Sequence, residues 1–288
     1  MKTVADVLNT FKHGLNAVYD SLEVDAITML VLSELTGYSK AKLKAFPETE
    51  LTGEQQERLT SMLNQLQTGQ PVQYILGYTE FYGLRFEVNS NVLIPRPETE
   101  ELVNWVIESA PIPAVNILDI GTGSGCIAIT LKHELKQAKV SAIDISKGAL
   151  EVAKRNADSN HTPVNFIHAD ILNYEAINMD NRLDIIVSNP PYVTETDKRQ
   201  MHTNVTDFEP HSALFVPEED PLLFYIAIAD FAIKNLKPGG LLFFEINESY
   251  GKETVEMLLN KSFKNIELRK DMSGRDRMIR CSYQVNCY

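Results

Sequence analysis

The chain has 288 residues, room for one large domain or two modest ones. It carries 27 Lys and Arg against 39 Asp and Glu, a formal net charge of −12, and 44% of its residues are hydrophobic. That composition excludes wholesale disorder and argues against a broad basic surface wrapped around nucleic acid. No apolar run is long enough to span a bilayer, and the first residues, Met1-Lys2-Thr3-Val4-Ala5-Asp6, lack the apolar stretch of a secretory signal. The cysteines, Cys126, Cys281 and Cys287, form no Cys-x-x-Cys pair, and the histidines are scattered. A disulfide scaffold and a structural zinc site are therefore excluded, no metal is expected, and the cytoplasm is the expected compartment.

The first seventy residues read as helical. Val4, Val7, Leu8, Phe11, Leu15 and Val18 recur at three- and four-residue steps, one buried helix face. Val24 to Leu35 is a second apolar helix with Gly37 as its stop. A third opens at Leu51-Thr52-Gly53 and runs to about Gln67. Residues 1–70 thus form a small helical domain. Residues 71–97 are a linker whose Glu80–Val88 stretch predicts a hairpin around Gly83. Pro97 sits in the first turn of a helix running to about Ser109, where its missing N–H costs nothing.

From Val115, strands and helices alternate. Val115–Ile120, Lys139–Asp144, Val164–Ile167, Leu183–Val187 and Leu241–Ile246 read as strands, with further strands near 265–268 and 278–283. Lys237-Pro238-Gly239-Gly240 reads as a turn. Residues 98–288 are accordingly an α/β domain with a seven-stranded, mostly parallel, Rossmann-like sheet covered on both faces.

Asp119-Ile120-Gly121-Thr122-Gly123-Ser124-Gly125 follows a strand and opens a helix. Its glycines permit a sharp turn and close approach of a ligand to main chain. Asp144 ends the next strand, 19 residues past Gly125, where a carboxylate can accept from both ribose hydroxyls of an adenosyl group. A dinucleotide site wants Gly-x-Gly-x-x-Gly, with pyrophosphate on the helix N-terminus. Here the spacing is Gly-x-Gly-x-Gly, and Cys126 stands at the third dinucleotide position. Asp119 would repel phosphate and suits a cationic ligand such as the amino group of S-adenosyl-L-methionine (SAM). A nicotinamide site and a ligand-free tight turn remain as alternatives.

Ser188-Asn189-Pro190-Pro191-Tyr192 follows an apolar strand. Two prolines make a stiff loop, and that is its plainest reading. It also has a chemical one. The lone pair of an amide or ring-amino nitrogen is delocalised, so methyl transfer needs the NH₂ held by both hydrogens with the lone pair aimed at the methyl group. The Asn189 side-chain oxygen and the Pro190 carbonyl can accept those hydrogens. Pro191 stiffens that carbonyl, and Tyr192 offers a flat face. Such acceptors also favour the positive charge that grows on nitrogen.

In this order, Asp119–Gly125, Asp144 and Asn189–Tyr192 resemble a class I SAM-dependent methyltransferase acting on a planar NH₂. Pro71–Gly77, Ile94–Glu100, Phe208-Glu209-Pro210 and Asp271–Arg277 narrow the resemblance to the HemK/PrmC family. That family methylates the glutamine of the Gly-Gly-Gln motif in peptide chain release factors. The resemblance covers nearly the whole chain. It implies SAM as cofactor, with S-adenosyl-L-homocysteine as product, and a release factor as protein partner, with no nucleic acid or membrane. It implies that Gly121–Gly125 wrap the methionine and ribose, that Asp170 reaches the adenine amine and that Ile171 packs on the ring. Asn189 to Tyr192 then bind the glutamine, with Asn189, Pro190 and Tyr192 the catalytic residues, and the helical domain contacts the release factor. The sequence departs from the family where Pro221 replaces a glycine at a helix start.

Arg96 and Glu98 read equally as entrance residues or as a structural ion pair, and Arg275 and Arg277 read as a structural turn. Trp105 belongs to the core, and Cys126 is a small buried filler rather than a poised thiol. A monomer is the plain expectation. The rival functions are an adenine-amino DNA or RNA methyltransferase, a SAM-binding regulator without catalysis, and a NAD-dependent oxidoreductase.

Overall fold

The computed structural model describes residues 1–110, 114–199 and 201–284; Cys287 lies outside them. The chain forms two compact units, Met1–Gly77 with His202–Phe208, and Tyr78–Met201 with Glu209–Tyr288.

The first unit is helical: α1 (Val4–Leu15), α2 (Ser21–Thr36), α3 (Lys40–Ala45), α4 (Gly53–Gln67) and α5 (Val72–Leu76). Thr3 caps α1, and its backbone N–H donates in return to Asp6, a capping box that satisfies two otherwise orphaned donors. Val4, Val7, Phe11 and Leu15 are fully buried, each contributing about 1.5–3 kcal/mol of apolar burial. The helix stops at Leu15, short of Val18, because Asp20 must be extended to cap α2 through the N–H groups of Leu22 and Glu23. Val18 is accordingly 38% exposed. The sequence gives no periodic sign of α3 and α5, which are too short to show one. With α5 included, the helical unit reaches Gly77, beyond the expected boundary at 70.

The second unit begins with an antiparallel hairpin, β1 (Tyr78–Phe81) and β2 (Leu84–Glu87). Its two-residue turn puts both Tyr82 (φ 51°) and Gly83 (φ 74°) in the left-handed region, as the twist of a tight hairpin demands. Helix α6 (Pro97–Ser109) follows with Pro97 at its start. The sheet strands are β3 (Asn116–Ile120), β4 (Lys139–Asp144), β5 (Asn165–His168), β6 (Leu183–Ser188), β7 (Leu236–Glu245), β8 (Lys264–Lys270) and β9 (Asp276–Ser282). Their order is β5-β4-β3-β6-β7-β9-β8, parallel from β5 to β7 and antiparallel at β9. Helices α7 (Cys126–Glu134), α8 (Lys147–Ser159), α9 (Leu223–Asn235) and α10 (Gly251–Asn260) belong to the same unit.

The expected seven-stranded, mostly parallel sheet is what forms. One local expectation fails. Lys237-Pro238-Gly239-Gly240 is part of β7, not a separate turn. The pairing with β6 slips there, and Gly239 bonds at 2.7 Å to the carbonyl of Tyr283, so the strand crosses the proline and glycines as a bulge.

Trp105 is buried edge-on to Phe243, with the Arg269 guanidinium 4.0 Å from its ring, in the apolar layer formed with α7. Cys126 is buried there too, and burial pushes its thiol up to about 12, which fits a filler and not a nucleophile. Strand order reverses between β3 and β6, so their carboxyl ends open a crevice at the switch point. Ile120 pairs with Ser188, which places the glycine turn beside Asn189.

Candidate active site

The glycine turn is held by its own neighbourhood. The N–H groups of Gly121 and Thr122 both bond to the Ile143 carbonyl, at 2.9 and 3.0 Å. Gly121, Gly123 and Gly125 all have positive φ (74°, 54° and 83°). At Gly125 the lack of a Cβ has a packing reason as well, since one would lie 2.8 Å from Ile129 Cδ1 and 3.1 Å from Ala153 Cβ. Gly123 has nothing within 4 Å of such an atom, so its bare backbone faces open space.

Asp119 lies fully buried beneath the turn. Its Oδ2 accepts the Thr122 hydroxyl at 2.6 Å, the Ala128 N–H of α7 also favours its charged form, and Oδ1 meets no donor in full hydrogen-bond geometry among the described residues. Burial pushes this carboxyl up to about 7. Asp144 accepts the N–H of Gly123 at 2.8 Å on one oxygen and that of Ser146 at 2.8 Å on the other. Burial raises its pKa, against these backbone donors. Asp170 caps the 3-10 turn Ile171–Ala176 by accepting from Leu172 N at 2.9 Å.

A cavity of about 260 Å³ opens over the carboxyl ends of β3, β4 and β6. Gly121, Gly123, Asp144, Asp170, Ile171 and Asn189 line it. Asp119, Thr122, Ser124 and Gly125 do not; they lie under the turn and shape it. The remaining wall is largely apolar, including Leu93, Phe215, Phe224 and Ile228, and among the described residues it holds no Lys or Arg. Two carboxylates without a cation oppose a pyrophosphate and suit a ligand that carries positive charge and ribose hydroxyls.

The Asn-Pro-Pro-Tyr segment is held by distant side chains. Asn189 Nδ2 donates to Thr99 Oγ1 at 3.3 Å, and the Thr99 hydroxyl donates to Glu245 Oε2 at 2.7 Å. The Tyr192 hydroxyl donates to Glu245 Oε1 at 3.0 Å. Asn247 Nδ2 donates to the Tyr192 carbonyl at 3.0 Å and to Asp197 at 2.8 Å. Burial raises the pKa of Glu245, which the Thr99 and Tyr192 hydroxyls and the Arg277 charge oppose. Burial, then the charge of Glu245, holds the Tyr192 phenol well above its usual range.

A second cavity, about 420 Å³, is also lined by this segment. Tyr192, Arg96, Asn247, Arg275 and Arg277 line it, and it shares Leu93, Asn189, Pro190 and Ala213 with the first. Arg96 pairs with the buried carboxylate of Glu209, which also accepts from Ile94 N at 3.1 Å. Arg96 is thus both ion-pair partner and cavity wall. Arg277 likewise pairs with Asp271 at 3.2 Å and Arg275 with Glu248 at 3.6 Å, while both face the cavity. Both arginines are tied into the turn and also line the cavity.

Comparison with known proteins places the chain in a family. The PrmC N-terminal domain matches residues 6–77, and the methyltransferase small domain matches residues 99–207. The release factor glutamine methyltransferase of Flavobacterium psychrophilum is 45% identical over 95% of this chain and 97% of its own length. The chain belongs to the release factor glutamine methyltransferase family. The Bacteroides thetaiotaomicron relative of the same description is 43% identical over 93% of this chain and 96% of its own. A methyltransferase structure from Pyrococcus furiosus shares the fold, with TM-score 0.53 and 16% identity over 81% of this chain and all of its own.

The family motifs explain which residues sequence reasoning reached. It did not reach Leu93, Thr99, Phe224, Glu245 and Asn247. One sign was present for Glu245, an acid inside the apolar run Leu241-Leu242-Phe243-Phe244-Glu245-Ile246.

Proposed function

We propose that the first cavity binds SAM and the second receives the glutamine side chain of the Gly-Gly-Gln motif of a peptide chain release factor. The observation that carries this reading is the shared wall: a cation-free, carboxylate-bearing cavity and a second cavity meet at Asn189-Pro190. SAM supplies an electrophilic methyl group on a sulfonium centre. The residues fit it. Asp144 keeps lone pairs for the ribose hydroxyls beyond its two backbone donors, Asp170 stands by the adenine amine, and Ile171 offers an apolar surface to the ring. Asp119 lies beneath the turn, and a cationic amino group bound above it would draw its raised pKa down and favour the carboxylate form.

On the substrate side, Asn189 Oδ1 and the Pro190 carbonyl hold the two amide hydrogens. They aim the nitrogen lone pair through the shared wall and favour the charge that builds there. Pro191 fixes the carbonyl by restricting the backbone, and Tyr192 packs on the planar amide. No side chain need remove a proton before attack. The extra proton leaves the methylated nitrogen afterwards. The helical unit is the proposed contact for the release factor, and the cytoplasm, where translation ends, is the proposed place of work.

The test is methyl transfer from labelled SAM to a purified release factor, to the same factor with its Gly-Gly-Gln glutamine replaced, and to bulk RNA and DNA. Label on the unaltered factor alone is the expected result. Label on nucleic acid would transfer the substrate to an adenine-amino reading and overturn this one.

A further inference from the structure

We propose that Thr99 and Glu245 are positioning residues that fix which face of the Asn189 carboxamide meets the substrate. The inference rests on the reading that Asn189 holds the glutamine amide. A carboxamide has two ends of nearly equal shape and opposite sense, an acceptor oxygen and a donor NH₂. Only the oxygen can take a hydrogen from a substrate amide. With the NH₂ toward the substrate, two donors would face each other and the clamp would repel what it should hold.

The buried network selects the productive end. Glu245 lies at the carboxyl end of β7 and is 1% exposed. Both its oxygens act as acceptors, Oε2 for the Thr99 hydroxyl and Oε1 for the Tyr192 hydroxyl. The single Thr99 hydrogen is therefore committed to Glu245, and Thr99 Oγ1 can only accept from Asn189. The Asn189 NH₂ must supply that bond, at 3.3 Å, and its Oδ1 is left toward the cavity wall. Each link forces the next: an acceptor carboxylate orients a hydroxyl, and the hydroxyl orients an amide. Thr99 stands in the first turn of α6, 2% exposed, and is not among the residues lining either cavity. It acts through Asn189.

The same carboxylate fixes the other end of the segment, since Tyr192 bonds its second oxygen. One buried acid thus sets the rotation of Asn189 and the seat of Tyr192 together. This accounts for a carboxylate inside an apolar strand, where burial alone would disfavour it.

The test uses Thr99→Val, which keeps shape and loses the hydroxyl, and Thr99→Ser, which keeps the hydroxyl. Thr99→Val should lower kcat with release factor about ten- to a hundredfold, the range for losing one preorganised hydrogen-bonding arrangement. SAM affinity by calorimetry should stay within about twofold, since the first cavity is untouched. Thr99→Ser should recover most of the loss. The Asn189 side-chain NH₂ protons, assigned by their absence in Asn189→Ala, should exchange slowly in the parent and in Thr99→Ser and fast in Thr99→Val. Equal losses in the Ser and Val variants would show that packing acts rather than the hydroxyl, and would overturn the proposal. So would parental kcat in Thr99→Val. Asn189→Ala, run in parallel, separates the two levels. If it keeps full turnover, the reading of Asn189 as the amide clamp has itself failed. If it collapses turnover while Thr99→Val does not, only the positioning proposal has failed.

Discussion

The glycine turn and the Asn-Pro-Pro-Tyr segment stand side by side at the ends of β3 and β6, yet they are secured in opposite ways. The turn is held mainly by the adjacent strand, with Asn156 of α8 donating to the Ser124 carbonyl at 2.9 Å. Gly121, Thr122 and Gly123 bond to Ile143 and Asp144 on the adjacent strand, and Thr122 bonds to Asp119 three residues back. The second segment is held from afar: Thr99 comes from α6 and Glu245 from the end of β7. A turn whose task is to present bare backbone can be secured by the strand beside it. A site that must aim a side-chain amide needs rigid supports from several elements, because a stiff loop alone fixes position but not the sense of its hydrogen bonds.

The comparison breaks most sharply at Asn189. Asn189→Ala should cut methyl transfer by more than about a hundredfold while SAM binding stays near parental, measured by single-turnover transfer and by calorimetry. Loss of SAM binding instead would mean that the two regions are one functional unit.

Next in size is the turn itself. Gly125→Ala places a Cβ against Ile129 and Ala153 at a φ of 83°. It should destabilise the protein by about 2–3 kcal/mol in urea unfolding, from left-handed strain and overpacking together. An unchanged midpoint would show that α7 can shift cheaply and that the local account of the turn is wrong.

Asp144→Ala should weaken SAM by about 1.5–3 kcal/mol, the worth of hydrogen bonds to a charged group. Part of that loss comes from releasing the Gly123 and Ser146 N–H groups, so Asp144→Asn, which keeps one acceptor, should lose less. Equal affinity in the Ala variant would remove Asp144 from the site.

The effect with the smallest slope, spread over about three pH units, concerns Asp119. Its folded pKa of about 7 lies above the ordinary 3.8. Between those values the folded state holds more protons than the unfolded one, so this group's contribution makes stability fall as pH rises from about 4 to 7, then level off. The slope cannot exceed about 1.4 kcal/mol per pH unit. Urea unfolding of parent and Asp119→Asn across that range should show the slope in the parent alone. Parallel curves would place the Asp119 pKa in the normal range.

Legibility followed the same division. Asp119–Gly125 and Asn189–Tyr192 are continuous in sequence, and their meaning lies in residue types at short spacing. Thr99 lies in the Ile94–Glu100 segment that carries the resemblance, but nothing there gives it a role, and Glu245 reads only as an acid at a strand end. Their bond spans 146 residues, and no local pattern encodes it. Strands with apolar runs were legible because burial on both faces writes itself into composition. The helices α3 and α5 were not, since five or six residues make too little of a period. The bulge at Lys237–Gly240 reads as a turn because Pro and Gly usually end a strand, and only the neighbouring strands carry this one through.

The wall that the two cavities share also bears on ligand design. Asn189 and Pro190 line both, together with Leu93 and Ala213. A single compound joining an adenosyl group to a glutamine-like amide through the nitrogen could therefore fill both at once. Having paid the entropy of association only once, it should bind far more tightly than either half.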